Sequence, residues 1–470
     1  MDGVKGRARL RIPARASIWY IVSSALARSV SVVGTPIFTR LLSAGEYGAF
    51  PQYMTFFSLF SVVVTLELSG GVILRGLQKF DKRRDEFISC ATGLIFVVWA
   101  VFSLLFFTFF GIFGDFTGLG KQLFAVMLVH ILLNSVAAVY TAEARFSYKY
   151  RAVAFINIIT SLLSPTISIL LITGLSLGGE GRIYAALLTA GIIAIPLLFI
   201  IFGRSQRVYD GEIWRFLLRF SLPLLPHYLS AAVIIRVGEV ALARIHGSEA
   251  LAKYSVAMSV GLSLTVITNG LLSALSPWML RRVRAGEIEK SRSVLLLATA
   301  GLSLVTLLIL AIVPETILIV APPEYHDCLF AVYPLALSVV PTFLSNAVVA
   351  GEMYFERSGM TSLPTVIAAT VTVLFTLIFS RFIDYRMVAV FVPIAYVITC
   401  VLNCVIFYRL SKKVPIVWGK TLLLYVFTVV YAFLIFAFRE SISIRILLTV
   451  PLIFPLIYAG RELYSIIKEN

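Results

Sequence analysis

Apolar residues occur in long unbroken runs from one end of the chain to the other, separated by short polar stretches. About fourteen runs are long enough to cross a bilayer: 17–42, 50–74, 87–113, 121–143, 152–174, 182–203, 217–243, 254–279, 293–320, 328–354, 361–380, 387–408, 418–438 and 441–460. The hydrocarbon core is roughly 30 Å thick, which takes about 20 helical residues to span. Within the runs polarity does not alternate residue by residue, as the strands of a membrane barrel require. A segment in lipid must satisfy its own backbone hydrogen bonds, so each run is expected to form a helix.

Composition agrees. The chain is 59% hydrophobic and 14% charged, with a mean hydropathy of +0.95. Soluble domains carry roughly 25% charged residues. A net charge of +16 would suggest nucleic acid in a soluble protein, but its placement points elsewhere. If residue 1 starts inside the cell, the large majority of Lys and Arg fall on the inner side, in clusters such as Lys79, Lys82, Arg83 and Arg84, or Arg281, Arg282 and Arg284. The outer side carries scattered cations such as Arg40, Lys121, Arg182 and Arg386. This bias places both termini in the cytoplasm. The basic N-terminal stretch and following apolar run resemble a secretory signal, but the run is long, contains Arg28 and lacks a small-x-small cleavage site; an uncleaved first helix is expected.

No connection between runs is long enough for a soluble domain, and the outer loops at 114–120 and 321–327 are too short for a catalytic platform. Cys90, Cys328, Cys400 and Cys404 lie in or beside apolar segments; two cysteines sharing a helix face do not make a metal site, so core filling is expected and no cofactor is implied.

A faint repeat links the halves. Arg40-Leu41-Leu42-Ser43-Ala44-Gly45-Glu46-Tyr47-Gly48-Ala49-Phe50 and Arg244-Ile245-His246-Gly247-Ser248-Glu249-Ala250-Leu251-Ala252-Lys253-Tyr254 match Arg to Arg and aromatic to aromatic at an offset of 204 residues. Six helices lie between the copies, so both run from inside to outside, as in transporters built from parallel repeats.

An ionisable side chain within the bilayer normally faces a cavity or a partner. Arg28 sits inside the first span and Arg236 inside the seventh. With the repeat offset removed they fall four residues, about one turn, apart, on one face of equivalent helices. Facing each other they would line a cationic cavity suited to phosphate or pyrophosphate. Glu239, three residues from Arg236, is the competing local partner. Glu67, followed by Gly70-Gly71, is a candidate ion-coupling site or counter-ion for Arg28.

The stretch Thr39-Arg40-Leu41-Leu42-Ser43-Ala44-Gly45-Glu46-Tyr47-Gly48 resembles the first outer turn of the Wzx-like O-antigen and polysaccharide flippases, within the multidrug/oligosaccharidyl-lipid/polysaccharide exporter superfamily. The motif covers about ten residues; a position that is often Pro in the family is Gly45 here. The resemblance implies an all-α integral membrane protein with two pseudo-symmetric six-helix lobes, 1–210 and 211–412, and two additional helices in 413–470, arranged around a central cavity. It implies flipping of a polyprenyl-pyrophosphate-linked oligosaccharide across the cytoplasmic membrane by alternating access, alongside glycan polymerase and chain-length partners. The alternatives are a cation-coupled exporter of drugs or of lipid-linked peptidoglycan precursor, and a membrane glycan polymerase or ligase.

Overall fold

The computed structural model describes Leu26, Val30 and residues 33–147, 149–352, 355, 358–379, 382 and 384–468. Every described element is helical. The chain divides into two compact units, Met1–Ala232 and Val233–Asn470, and the boundary falls inside one continuous helix.

In the first unit, α1 (33–41) leads through Ser43 into α2 (Ala44–Val64). The Ser43 hydroxyl accepts from the Glu46 N–H while the Ser43 N–H donates to the Glu46 carboxylate at 3.0 Å, a reciprocal cap on the new helix. The aromatic residues of this turn hold a cation from α8 (Glu180–Arg204): the Arg182 guanidinium stacks on Phe38, Tyr47 and Phe50 at 4.4, 4.9 and 4.2 Å. A Cβ on Gly179 would lie 2.1 Å from the Glu46 carbonyl oxygen, so glycine is required there. The outer-turn motif is thus a structural clasp between α2 and α8.

The sequence predicts one helix over 50–74; the structure breaks it. α2 ends at Val64, Leu66 and Glu67 adopt left-handed backbone (φ 52° and 44°), and Gly71 takes φ 125° before the short α3 (Val72–Lys79). Glu67 therefore lies at a break, not deep in a helix. Apolar residues on both sides hide the interruption from a hydropathy window, while Gly71 supplies a backbone that side-chain-bearing residues rarely adopt. α4 (Arg84–Thr108), the short α5 (Phe110–Thr117), α6 (Lys121–Phe146), α7 (Tyr150–Leu175) and α8 complete the bundle, with α8 packed on both α6 and α7. At one end of the unit, the connection after α8 is tied along α4: the Ser89 hydroxyl donates to the Ser205 carbonyl, and the Trp214 indole N–H to the Cys90 carbonyl. Arg83 and Arg207 both bridge Glu86 and Asp210 at 2.6–3.1 Å. Asp210 also caps α9 (Gly211–Ile245); the Ile213 N–H and then Arg83 hold its carboxyl below the usual range.

The second unit repeats parts of this plan. α10 (Gly247–Gly261) is followed by a 3-10 turn and α11 (Thr265–Arg284), a milder break than the one after α2. Arg386 stands 204 residues after Arg182 and is again cradled by rings, Phe330 and Tyr385 at 5.0 and 5.8 Å, while Asp327 accepts from it at 3.1 Å. The 33-residue α12 (Ile288–Val320) runs through the unit's middle. α13 (Leu329–Leu337), α14 (Val339–Glu352), α15 (Ser358–Phe379), the one-turn α16 (Tyr385–Val388) and α17 (Phe391–Ser411) follow, with α14 packed on α11 and α17. α18 (Trp418–Ala437) and α20 (Ile453–Lys468) pack on α12. Between them α19 (Ile442–Thr449) buries Arg445, which donates to the Ala311 carbonyl and to Glu315, a compensated ion pair.

Among the described residues, eleven helices meet the length and apolarity needed to cross a membrane, so the protein is multi-pass. Three expected spans are not among these eleven. The first lies largely outside the described residues, the second is broken at Glu67, and the seventh, α9, carries Arg215, Arg219, Arg236 and Glu239. A count of fourteen remains compatible with these elements.

Candidate functional site

Arg28 lies outside the described residues. Arg236 is in α9 of the second unit, where its guanidinium donates to Glu239 at 2.7 Å; Glu239 is buried. The i+3 spacing that marked Glu239 as a local partner is realised. Tyr254, fully buried with its hydroxyl unpartnered, lies within electrostatic reach of both. Glu67 belongs to the first unit. Its carboxylate makes no ion pair among the described residues, and Tyr228 of α9 is within reach of both Glu67 and Arg75.

Beside Glu67 the first unit presents a basic strip that sequence reading did not single out as a site. α3 is amphipathic: Val72, Ile73, Gly76 and Leu77 are buried, whereas Arg75 and Lys79, four residues apart, are exposed on one face. The neighbouring first turns of α9 repeat the arrangement, with Ile213, Phe216 and Leu217 buried and Arg215 and Arg219 exposed. The two helices are joined by rings. Phe80 meets Phe216 edge-on at 5.5 Å, Lys79 sits over Phe216 at 4.9 Å and Arg75 over Phe220 at 5.7 Å. Lys79, Glu212, Arg215, Phe216, Arg219 and Phe220 line a groove of about 570 Å³.

The charge balance of this groove is uneven. Glu212 is its one lining carboxylate, 3.8 Å from Lys79 and 3.7 Å from Arg83. Arg75, Arg215 and Arg219 form no ion pair among the described residues. Nearby, by contrast, Arg83, Arg204 and Arg207 are all matched to carboxylates. Three uncompensated guanidiniums and an ammonium on one face form a concave cationic surface able to hold a multiply charged anion, each guanidinium offering the planar fork that suits phosphate oxygens. The strip follows the repeat only in part. At the repeat offset Arg75 and Lys79 correspond to Met279 and Val283, whereas Arg215 and Arg219 of α9 correspond in sequence to Arg11 and Arg15. The usable signal was the pair of i, i+4 basic spacings, which reading for topology alone absorbed into the inside-positive bias.

No cluster of three or more metal-ligating side chains occurs among the described residues.

No curated protein matches the chain in sequence. In structure it is similar to an inward-facing multidrug resistance transporter of the MATE family, with a TM-score of 0.67 and 15% identity over 82% of this chain and 96% of that one. It is similar to the lipid II flippase MurJ in an inward closed conformation, with a TM-score of 0.68 and 14% identity over 95% and 99% of the two chains. A MOP superfamily transporter from Pyrococcus furiosus superposes with a TM-score of 0.60 at 16% identity, over 85% and 97%. At such identities the likeness is one of fold, and the fold is that of the MOP superfamily. A family model described as polysaccharide biosynthesis protein matches residues 14–283, more than half of the chain, and the chain belongs to that family.

Proposed function

We propose that the protein is a flippase that carries a polyprenyl-pyrophosphate-linked oligosaccharide from the inner to the outer leaflet of the cytoplasmic membrane by alternating access. The observation that carries this reading is the basic strip of Arg75, Lys79, Arg215 and Arg219, in which the three guanidiniums form no ion pair among the described residues. Such a strip suits the pyrophosphate head of a lipid-linked sugar, and its inner-side location suits a substrate made in the cytoplasm. Membership of a polysaccharide biosynthesis family, and a fold shared with a protein named as a lipid II flippase, support the same class of cargo.

In this account the strip receives the head group, and Arg28 and Arg236 receive it deeper in the membrane. Arg236 would exchange its bond to Glu239 for substrate, and Glu67 would serve as counter-ion or coupling group. The lobes correspond to residues 1–210 and 211–412, with 413–470 adding two helices, and both termini are cytoplasmic. A glycan polymerase and a chain-length partner would use the product. A drug exporter, the competing reading, needs anionic residues for cationic cargo, which this strip does not offer.

The test is reconstitution into proteoliposomes holding a short polyprenyl-pyrophosphate oligosaccharide, with exposed sugar read by an impermeant glycosidase. Protein-dependent loss of protection is expected. Full protection, together with export of a cationic dye, would replace this reading with the drug-exporter one.

A further inference from the structure

Glu352, the last residue of α14, is fully buried in the second unit, and neither of its carboxyl oxygens has a hydrogen-bond partner among the described residues. This differs from every other buried acid among the described residues: Glu143 is held by Lys149 and Arg204, Asp210 by Arg83 and Arg207, and Glu239 by Arg236. The neighbouring Gly351 is packed against Phe407 of α17 and against Met279 and Val283 of α11.

The ionisable groups on the helices packed against α14 are otherwise engaged or face away. On α17, Cys404 is buried within electrostatic reach of Glu352, Cys400 is its neighbour one turn back, and Arg409 is exposed. On α11, Arg282 is bonded to Glu287 and stacks on Trp278 at 5.3 Å, while Arg281 and Arg284 are exposed. On α12, Glu289 is exposed, Lys290 reaches Glu287 at 2.8 Å, Arg292 donates to the Val414 carbonyl at 2.9 Å, and Glu315 is held by Arg445. On α13 the Tyr333 hydroxyl donates to the Leu310 carbonyl at 3.1 Å. The polar pair Ser345 and Asn403, bonded at 2.8 Å, lies two turns up α14.

A carboxylate with no donor and no counter-charge is not tolerated in such surroundings; the group holds its proton instead. We infer that Glu352 is a proton-binding site, neutral while α14 is packed on α11 and α17 and ionised when those helices part and admit water. A single carboxyl without convergent oxygens suits a proton and not sodium, which needs several oxygen ligands. Resting on the flippase reading, the site would link proton release to the conformational change that moves the glycan.

Infrared difference spectroscopy of the purified full-length protein tests the site without any substrate. Wild type at neutral pH should show the carbonyl stretch of a protonated carboxylic acid in an apolar setting. Glu352→Gln, which imitates the neutral acid in shape, should remove that band, and Glu352→Asp should shift it. A spectrum in which Glu352→Gln removes no such band, or a band abolished by sodium at constant pH, would overturn the proposal. In proteoliposomes, wild-type flipping should respond to a pH gradient and Glu352→Gln should lose that response. A gradient response retained in Glu352→Gln overturns the coupling role. Absence of any glycan movement with the infrared band intact supports the proton site and counts against the flippase reading instead.

Discussion

At the residue scale, the stretch from Thr39 to Gly48 shows how a short sequence signature can build a structural clasp. Ser43 and Glu46 cap α2, and Tyr47 and Phe50 with Phe38 cage Arg182. Removing the cap in Ser43→Ala should cost about 1 kcal/mol of stability, read as a lower thermal midpoint in detergent, with the flipping rate of the folded protein unchanged. The Ser43 hydroxyl, then its N–H, holds the Glu46 carboxyl below its ordinary value of 4.5. A depressed acid stabilises the fold above that value and loses its contribution as pH falls through the folded pKa. The gap in midpoint between wild type and Ser43→Ala should therefore be full at neutral pH and close on acidification below 4.5; a gap independent of pH would refute the cap's ionic character. The bond between Arg236 and Glu239 was legible from their spacing. The meaning of Arg75 and Lys79 was not, because one residue's charge serves topology and substrate equally well until its neighbours are known.

Among the elements, hydropathy located helix at each expected span that falls in the described residues, since long apolar runs have no other structure available in lipid. It failed at the break after α2. Val62, Val64, Leu66 and Leu68 keep the run apolar, so only Gly70-Gly71 marked the interruption. The break matters because it turns α3 into a separate amphipathic helix that sets Arg75 and Lys79 beside α9. Gly71→Ala should be destabilising, by about 1–3 kcal/mol, although nothing occupies the space around it, because the strain is in its φ of 125°. Thermal unfolding of the purified variant measures this; an unchanged midpoint would mean the break tolerates ordinary backbone.

For the whole molecule, the repeat was legible in faint form, and its extension to Arg182 and Arg386 emerged only when both were seen caged by rings. The asymmetry at Arg75 and Lys79 was not legible: their equivalents at the repeat offset, Met279 and Val283, carry no charge. Orientation can be tested directly. Asp81→Cys and Gly286→Cys should resist an impermeant thiol reagent in intact cells, and Gly118→Cys should react, with the native cysteines buried. Labelling of Gly286→Cys from outside would invert the inside-basic orientation. The central claim, that the strip on the first unit grips an anionic head group, is tested most directly by flipping of the polyprenyl-pyrophosphate oligosaccharide in proteoliposomes carrying Arg75→Ala combined with Arg215→Ala. The account predicts loss of at least ten-fold in rate at normal protein level, equivalent to about 1.4 kcal/mol, with partial recovery in the corresponding double Lys variant. Wild-type rates in the double alanine variant would contradict it.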